Sequence, residues 1–467
     1  MYDFDRVLER RGTNSAKWDF SFFVQPEADG DTIPMWVADM DFACAPEIIG
    51  AIRERLDRSP ILGYSSYICP RYFRAVCGWY QRRYGWYIHS DSVVVTKGVV
   101  PAIKSLILAL TRPGDGVVIN MPVYYPFFNT IQATGRTVVN SPLTGRDGYY
   151  TLDFADLEEK LARPENKLLL FCNPHNPTGR VWSREELARV GELCRRCGVV
   201  LVSDEIHGDL TRMGCGYTPV AALFPGEEFI ITCTAPSKTF NLAGMGLSNI
   251  VIPSAEHRRA LEGIDGVPQL ANPLSIAATQ AAYERGDAWV DELRAYLDGS
   301  MELLARFVRE RLPRARFRVP EGLYLAWVDV SAYRSDGPAL ERELVERGKI
   351  LLECGERFGA GGGGFIRINC ACPRSLLLEG LGRIAGCLEG GGEIHPLPRS
   401  AADEPLRPVR PPAVGEGCAA CGACAAACPE HAISPADPHV TDPQRCTLCL
   451  RCVSACPTLA RRADTQS

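Results

Sequence analysis

Thr234-Ala-Pro-Ser-Lys238-Thr-Phe-Asn-Leu-Ala-Gly244 is the stretch on which the fold prediction depends. It follows an apolar run, Phe229-Ile-Ile-Thr-Cys233, which is typical of a strand buried on both faces. Lys238 therefore leaves the end of a sheet among hydroxyl-bearing and small residues, where its amine is well placed to form an imine. A lone Ser-Lys-Thr is a weak motif that also occurs in solvated surface loops. Its interpretation depends on the rest of the chain.

The composition is that of a globular protein with several domains. The chain has 467 residues, which predicts about three folded units at the usual domain size. Hydrophobic residues make up 46% and charged residues 23%, and the formal charge of -5 gives no electrostatic reason to expect nucleic acid or an anionic membrane as a partner. No apolar run approaches the roughly 18 residues that span a bilayer, and the charged start of the chain lacks a secretory signal. We therefore expect a cytoplasmic protein.

Apolar strands alternate with helices from about residue 93 onward. Predicted strands cover residues 93–96, 117–119, 167–172, 199–203, 229–233 and 249–252. Between two of them, Ser183 and Glu186 form a capping box, and Gly198 ends the helix that this box begins. Strands that are apolar throughout and separated by helices predict a mostly parallel sheet covered on both faces. The fold class is therefore α/β.

The remaining segments predict the domain boundaries. Residues 1–45 form an N-terminal arm that also contributes to a small domain, and residues 46–286 form the large domain. A long helix over 287–311 opens a smaller α/β domain that ends at 388 and includes strands at 322–330 and 364–369. Residues 389–416 are rich in proline, glycine and charge, which indicates a linker. A cysteine-rich domain follows at 417–460.

Three further short stretches follow predicted strands and carry polar side chains. They are Met121-Pro-Val-Tyr124, Cys172-Asn-Pro-His-Asn176-Pro-Thr-Gly179 and Ser203-Asp204-Glu-Ile-His207. Because function gathers at the carboxyl ends of parallel strands, Tyr124, Asn176, Asp204 and Lys238 should meet at one edge of the sheet. An imine-forming lysine, a carboxylate for a ring nitrogen and further polar groups suit a pyridine aldehyde such as pyridoxal phosphate. Taken singly, each stretch is also explained as an ordinary turn or helix cap.

The motifs N-P-x-N-P-T-G, S-D-E-I-H and S-K-T-F-N-x-A-G resemble those of the pyridoxal phosphate enzymes of fold type I, the aspartate aminotransferase superfamily. R-R-G-T-N-S-x-K-W-D, A-D-M-D-F and G-F-I-R-I-N-x-x-C-P-R narrow the resemblance to the MalY/PatB group of cystathionine β-lyases, or C–S lyases. The resemblance covers residues 1–388. It implies a large domain with a mostly parallel sheet, a small α/β domain and a homodimer.

The resemblance also implies a role for each motif residue. Lys238 would hold pyridoxal 5'-phosphate as an imine and act as the general base of a β-elimination that yields a thiol, pyruvate and ammonia. Asp204 would pair with the ring nitrogen, Tyr124 would stack on the ring, and Asn176 would bond its phenolic oxygen. Arg367 would clamp the α-carboxylate of cystathionine or a cysteine S-conjugate, with Ala38 also at the substrate.

The phosphate contacts are the part of this pattern that departs from the superfamily. Gly98 and Val99 would bind the phosphate at a helix N-terminus, where unpaired N–H groups favour an anion, with help from Ser237 and from Tyr64 of a second subunit. Ala235 stands where a phosphate-binding serine is common, and Thr234 is a candidate substitute. His207 stands where many relatives have a tyrosine near the phenolic oxygen. It is either a cofactor contact or a structural histidine.

The cysteine-rich segment contains an internal repeat. Of twenty cysteines, eight lie in this segment, in the pattern Cys418-x2-Cys421-x2-Cys424-x3-Cys428-Pro429 and again Cys446-x2-Cys449-x2-Cys452-x3-Cys456-Pro457. Zinc sites are usually paired C-x2-C knuckles with four ligands, whereas this spacing is typical of cubane iron–sulfur clusters. The repeat resembles the bacterial ferredoxins with two 4Fe-4S clusters. The resemblance implies one cluster on Cys418, Cys421, Cys424 and Cys456, and another on Cys446, Cys449, Cys452 and Cys428.

Three hypotheses for the function remain open at this point. The first is a C–S lyase with an appended ferredoxin domain and a redox partner. The second is an aminotransferase on the same fold, which would depend on a 2-oxo acid acceptor. The third is a protein that transfers electrons or binds a partner on a lyase scaffold.

Overall fold

The computed structural model describes residues 2–264, 270–390, 410–414 and 461–464. The chain divides into two compact units, Met1–Pro396 and Leu397–Ser467. The strands are β1 Ile33–Pro34, β2 Val93–Thr96, β3 Gly116–Ile119, β4 Thr137–Asn140, β5 Leu143–Arg146, β6 Tyr149–Leu152, β7 Asn166–Cys172, β8 Val200–Asp204, β9 Ile230–Thr234, β10 Ser248–Val251, β11 Leu325–Asp329, β12 Ile350–Leu351, β13 Glu353–Cys354, β14 Phe365–Asn369, β15 Arg410–Val414 and β16 Arg461–Asp464.

The α-helices precede, separate and follow the strands of the first unit. They are α1 Pro46–Arg58, α2 Pro70–Tyr84, α3 Val99–Leu110, α4 Pro126–Ala133, α5 Phe154–Leu161, α6 Arg184–Cys197, α7 Pro236–Thr239, α8 Ala255–Glu262, α9 Pro273–Arg285, α10 Asp287–Arg311, α11 Gly337–Glu346 and α12 Arg374–Glu389. None of the described helices is both long enough and apolar enough to span a membrane.

The main sheet of the first unit has seven strands in the order β2-β10-β9-β8-β7-β3-β4. Only β10 runs antiparallel to its neighbours β2 and β9, and the other described pairs are parallel. The prediction of a mostly parallel sheet is confirmed. The six strands predicted for this sheet are all present, and β4 at its edge is an addition.

Helices cover both faces of this sheet, as the apolar strands predicted. Leu168 and Leu170 of β7 pack in a core with α3 and α4, whereas Leu169 and Phe171 pack in a second core with α5 and α6. Alternate residues of one strand point to opposite faces, and all four of these side chains are no more than 1% exposed. A strand buried on both sides needs apolar residues throughout, which explains the pattern in the sequence.

Helix α6 forms as its capping residues predicted. The Ser183 side chain accepts from the Glu186 backbone N–H, the Glu186 side chain accepts from the Ser183 N–H, and Gly198 ends the helix in a left-handed conformation. The long helix predicted over 287–311 is α10.

A second, antiparallel sheet has the strand order β11-β14-β13. The N-terminal arm joins this region through β1, which pairs in parallel with β12. The proposed boundaries at 45, 286 and 388 remain predictions, because the whole of Met1–Pro396 packs as one compact unit.

In the second unit, β15 and β16 form an antiparallel pair. The predicted linker over 389–416 therefore includes a strand at Arg410–Val414. The rest of that linker after residue 390 and the whole cysteine-rich domain at 417–460 lie outside the described residues.

Candidate active site

A cavity of about 230 Å³ lies at the carboxyl ends of the parallel strands. The structure brings most of the predicted site residues to its walls: Ala38, Gly98, Val99, Tyr124, Asn176, Asp204, His207, Ser237, Lys238 and Arg367. Two predicted residues, Thr234 and Tyr64, are not in this lining. The convergence follows from the topology, because parallel strands deliver the loops at their carboxyl ends to one edge of the sheet.

Backbone hydrogen bonds hold neighbouring loops of this edge together. The Tyr124 N–H donates to the Asn176 carbonyl at 3.0 Å, and the Asn173 N–H donates to the Asp204 carbonyl at 2.9 Å. The loops that follow β3 and β7 and the end of β8 are thereby fixed relative to one another. Their side chains enter the cavity from positions that the sheet determines.

Lys238 lies on the short helix α7, directly after β9. Its Nζ donates to the Ala38 carbonyl at 2.6 Å, and the Tyr324 hydroxyl donates to the same oxygen at 3.0 Å. Burial lowers the pKa of Lys238 to about 8, and the Arg367 cation adds to this effect against the opposing attraction of nearby carboxylates. A substantial fraction of the amine is therefore neutral and nucleophilic near pH 8.

The N-terminal arm places the Ala38 carbonyl through a network of buried and partly buried charges. Arg10 binds Asp39 at 2.7 Å and Asp41 at 2.8 Å, and Lys17 binds Asp41 at 2.6 Å. The Lys17 side chain is only 1% exposed. Four residues of the two arm motifs therefore fix the arm against the site: Arg10, Lys17, Asp39 and Asp41.

Two side chains fasten the lysine loop itself. The Asn241 amide exchanges hydrogen bonds with the Met40 backbone, accepting at 3.1 Å and donating at 3.0 Å. Thr239 donates to the buried Asp209 at 2.7 Å. The position of Lys238 is thus set both by the arm and by the segment that follows β8.

Asp204 is 4% exposed at the end of β8. Burial raises its pKa to about 7, although the Ile206 backbone N–H and the Lys238 cation favour the charged form. Among the described ion pairs, none includes Asp204. A buried carboxylate of this kind fits a protonated ring nitrogen, because such a cation would offset the cost of burying the charge.

His207 is 3% exposed and packs edge-on against Tyr324, with 6.2 Å between the ring centroids. Burial lowers its pKa well below the ordinary value, and the cations of Lys238 and Arg367 act in the same direction. Its Nδ1 is buried and has no hydrogen-bond partner in the described part of the chain. A neutral imidazole with a free nitrogen at the cavity wall favours the cofactor contact over the purely structural interpretation, and this assignment remains a prediction.

The N-terminus of α3 forms the end of the cavity that suits a phosphate. Gly98, with φ of 153°, is the N-cap residue of the helix, and no side-chain cap is present there among the described residues. The cavity lining here includes Lys97, which the sequence analysis did not identify, and Ser237. The N–H groups at this helix N-terminus fit an anion.

Thr234 does not reach this end of the cavity. Its hydroxyl is buried and donates to the Asn249 carbonyl on the adjacent strand at 3.0 Å. The geometry therefore gives no support to Thr234 as the substitute for the missing serine. Tyr64 is 98% exposed, so its predicted contact depends on a second subunit.

Arg367 is 2% exposed on β14. Its Nη1 donates to Asn176 Oδ1 at 3.0 Å, and its Nη2 donates to the Trp36 carbonyl at 3.1 Å and to the carboxylate of Glu353. Because Arg367 occupies the oxygen of the Asn176 amide, the amino group of that amide is the one directed to other partners. This arrangement suits donation to a phenolate oxygen.

Glu353 is the most consequential residue that the sequence analysis missed. It lines the same cavity and is 1% exposed. No motif in the sequence marks it, and only the register of β13 against β14 places it beside Arg367. Tyr125, Cys172 and Ile206 also line the cavity and were not predicted.

The predicted metal ligands Cys418, Cys421, Cys424, Cys428, Cys446, Cys449, Cys452 and Cys456 lie outside the described residues. In the part of the chain that is described, no group of three or more His, Cys, Asp or Glu side chains is arranged to hold a metal ion.

Comparison with known proteins agrees with the geometry. Residues 31–384 match the family described as aminotransferase class I and II, and residues 417–460 match the 4Fe-4S dicluster domain. Cystathionine β-lyase PatB of Bacillus subtilis is 42% identical over 83% of this chain and 100% of its own length. Protein MalY of Escherichia coli is 34% identical over 82% of this chain and 97% of its own.

A solved structure supports the same assignment. The crystal structure of the PLP-bound C–S lyase from Staphylococcus hominis is 38% identical, with a TM-score of 0.78, and the match covers 83% of this chain and 98% of that one. The chain therefore belongs to the aminotransferase class I and II family, as a homologue of the MalY and PatB cystathionine β-lyases, and carries a 4Fe-4S dicluster domain at residues 417–460.

Proposed function

We propose that this protein is a pyridoxal phosphate-dependent carbon–sulfur β-lyase. It converts cystathionine or a cysteine S-conjugate, with one water, into a thiol, pyruvate and ammonia. The observation that carries the proposal is the meeting of Lys238, Asp204, Asn176 and Arg367 in one cavity at the sheet edge. Cystathionine β-lyase PatB of Bacillus subtilis, one of its relatives, aligns over 83% of the chain.

The cavity residues fit the cofactor. Asp204 would hold the ring nitrogen, Asn176 and His207 the phenolic oxygen, Tyr124 the ring face, and the first turn of α3 with Ser237 the phosphate. Bound pyridoxal phosphate supplies an electron sink for the carbanion that forms when the substrate loses its Cα proton. The protein supplies the amine that anchors this group and the contacts that orient it.

The chain's own residues bind the substrate and move the proton. Arg367 holds the α-carboxylate through charge-assisted hydrogen bonds. Lys238 Nζ would take the Cα proton as general base. In the protein without cofactor, burial lowers its pKa to about 8, which favours the neutral amine. The bond from Cβ to sulfur then breaks, and the sulfur leaves as a thiolate with the bonding electron pair. The Ala38 carbonyl, 2.6 Å from Nζ, keeps the amine at the site.

The C-terminal domain adds two 4Fe-4S clusters on the eight cysteines of the repeat. β-Elimination is neutral in redox terms, because the reaction from substrate and water to thiol, pyruvate and ammonia neither releases nor consumes electrons. The clusters therefore serve an electron transfer beyond lyase turnover, with a separate redox partner.

We further propose that the protein works as a cytoplasmic homodimer. Exposed apolar residues lie close together in sequence around Tyr64, which is itself 98% exposed: Ile61 at 70%, Leu62 at 59% and Ile68 at 58%. Apolar surface of this kind is typical of an interface. A second copy seated there would bring Tyr64 to the phosphate end of the partner's cavity.

The test is anaerobic purification with iron, sulfide and pyridoxal analyses, followed by assay on cystathionine without any 2-oxo acid. We expect pyruvate and free thiol in equal amounts. An absolute requirement for a 2-oxo acid acceptor would instead establish an aminotransferase. Absence of pyridoxal from freshly purified protein would favour the electron-transfer or partner-binding hypothesis.

A further inference from the structure

Glu353 and Arg367 are opposite each other on neighbouring antiparallel strands. The register of β13 against β14 pairs them directly, and residues opposite each other on one face of a sheet are close enough for their side chains to interact. Their side chains are 2% and 3% exposed and form an ion pair at the cavity wall. The carboxylate clamp of the proposed function therefore already holds a carboxylate from the protein.

The remaining hydrogen bonds show which part of Arg367 is free. A guanidinium has five N–H donors, and it grips a carboxylate through two parallel bonds, from Nε with Nη2 or from Nη1 with Nη2. Both N–H groups of Nη2 have partners, namely the Trp36 carbonyl and Glu353. The Nε group is buried without a partner in the described residues. Neither two-pronged face is thus available while Glu353 stays in place.

Of these two partners, Glu353 is the one that can yield. The Trp36 carbonyl belongs to the backbone of the arm, which the Arg10 and Lys17 ion pairs hold in place. Glu353 is a side chain with rotatable bonds, and it lines the open cavity. A ligand carboxylate that reaches Arg367 can therefore exchange with it.

We propose that Glu353 is an internal stand-in for the substrate carboxylate, which substrate displaces from Arg367 while the freed Glu353 takes up a proton from solvent. Glu353 is thereby a positioning and specificity residue. It holds Arg367 in place in the empty site and makes carboxylate binding dependent on pH. The inference rests on the proposed role of Arg367 in holding the substrate.

The surroundings of Glu353 favour this proton uptake. Burial raises its pKa above the ordinary value against the attraction of Arg367, and Arg357 attracts it while Glu341 repels it. Arg357 is already committed to Glu341 at 2.6 Å. Of the other titratable groups nearby, Tyr124, Tyr125 and Lys238 interact with Glu353 electrostatically. Loss of Arg367, the principal attractive partner, removes the main reason for the charged form to persist.

The experiment is calorimetric titration of the full-length holoenzyme with 3-(methylthio)propionate, a substrate-like carboxylate that lacks the amine. Titrations at pH 8 in phosphate and in Tris, which differ in ionisation enthalpy, give the number of protons taken up. We expect net uptake in the wild type, and affinity that falls as pH rises. In Glu353→Gln the uptake should drop below half, and the carboxylate should bind about tenfold more tightly because its internal competitor is gone.

Two controls isolate the effect. Glu379→Gln removes an exposed carboxylate on α12 that pairs with Arg383 and does not contact Arg367, and it should retain the uptake of the wild type. The uncharged ligand 3-(methylthio)propanamide should bind wild type and Glu353→Gln alike. Uptake that is unchanged in Glu353→Gln, or weaker carboxylate binding in that variant, would overturn the proposal. If Glu353→Gln does not fold, the wild type still tests the proposal. An affinity for 3-(methylthio)propionate that does not depend on pH would overturn it.

Failure of the proposed function has a different signature. Arg367→Met should lose carboxylate binding by at least about tenfold. If that variant binds 3-(methylthio)propionate like the wild type, Arg367 is not the substrate clamp. If Arg367→Met loses binding and Glu353→Gln leaves proton uptake unchanged, the clamp stands and only the role of Glu353 fails.

Discussion

The arm and the catalytic cavity both bury charged side chains in ion pairs, but the cavity also contains two buried ionisable side chains without such a pair. In the arm, Lys17 and Asp41 are bound to each other, and Arg10 adds a second cation to Asp41. In the cavity, Asp204 and Lys238 have no ion-pair partner among the described residues. Burial raises the pKa of Asp204 and lowers that of Lys238, and both shifts favour the neutral form. The paired charges of the arm stabilise the fold, whereas Asp204 and Lys238 in the cavity are available to bind a ligand.

The largest expected effect is on catalysis. Lys238→Ala should abolish the imine absorbance and reduce β-elimination by at least about a thousandfold, because one side chain is both anchor and base. The visible spectrum measures the loss of imine absorbance, and an assay of pyruvate formation measures the loss of β-elimination. Lys104→Ala, which removes an exposed lysine from α3, is the matched control and should behave like the wild type. Substantial lyase turnover in Lys238→Ala would exclude this assignment.

The next effect is on stability, and it tests the arm. Lys17→Met leaves Asp41 without one of its buried partners, so the free energy of unfolding should fall by about 3 kcal/mol. Denaturant titration of the holoenzyme measures the loss. Lys349→Met breaks an ion pair with Asp29 in which the side chains are 37% and 46% exposed, and it should cost less than about 1 kcal/mol. Equal losses in the two variants would contradict the structural role of the arm network.

Asp204→Asn should have the opposite effect on stability to Lys17→Met, because it should stabilise the cofactor-free protein. The folded-state pKa of Asp204, about 7, is above the unfolded value near 3.9. The folded cofactor-free protein therefore holds the proton more tightly, and its stability falls as pH rises between these two values. Removing the charge should stabilise the cofactor-free protein at pH 8 by up to a few kcal/mol and weaken cofactor binding. Thermal unfolding at pH 5 and pH 8, with and without pyridoxal phosphate, measures both changes.

If Asp204→Asn instead destabilised the cofactor-free protein at pH 8, the Asp204 carboxylate would be stabilised by another group of the protein. The contrast with the arm would then be lost. The same measurement on wild type alone gives an independent check, because the stabilisation by cofactor should grow as pH rises from 5 to 8.

The smallest expected effect concerns the iron–sulfur domain. Removal of iron with a chelator should leave cystathionine turnover per bound pyridoxal within about twofold of the untreated enzyme, because β-elimination needs no electron. Iron and pyridoxal analyses before and after treatment accompany the assay. A loss of turnover that parallels the loss of iron, with the circular dichroism spectrum unchanged, would show that the clusters take part in the lyase reaction.

The sequence predicted those parts of the molecule that local patterns determine. The apolar strands, the Ser183 capping box and the loops that follow strands were all visible in it, and they sufficed to bring Lys238, Asp204 and Asn176 together. The β5–β6 hairpin was missed, although Asp147-Gly148 is a strong turn signal and both residues have positive φ. Here the signal was present and unused.

Other features had no local signal. Glu353 reaches the cavity only through the register of β13 against β14, and Lys97 does so only because α3 begins beside the site. Thr234 is the converse case, since its position beside the lysine motif favoured a cofactor role, whereas its hydroxyl donates to the Asn249 carbonyl on the adjacent strand. The contacts between segments distant in sequence determine where such side chains point, and these contacts cannot be deduced from one segment alone.

The most direct test of the central claim is borohydride reduction of the holoenzyme followed by peptide mapping. We expect a single reduced pyridoxyl adduct, on the Nζ atom of Lys238, in the peptide that also contains Ser237 and Thr239. An adduct on another lysine, such as Lys97 in the cavity lining, or no adduct on a protein that still cleaves cystathionine, would contradict this expectation.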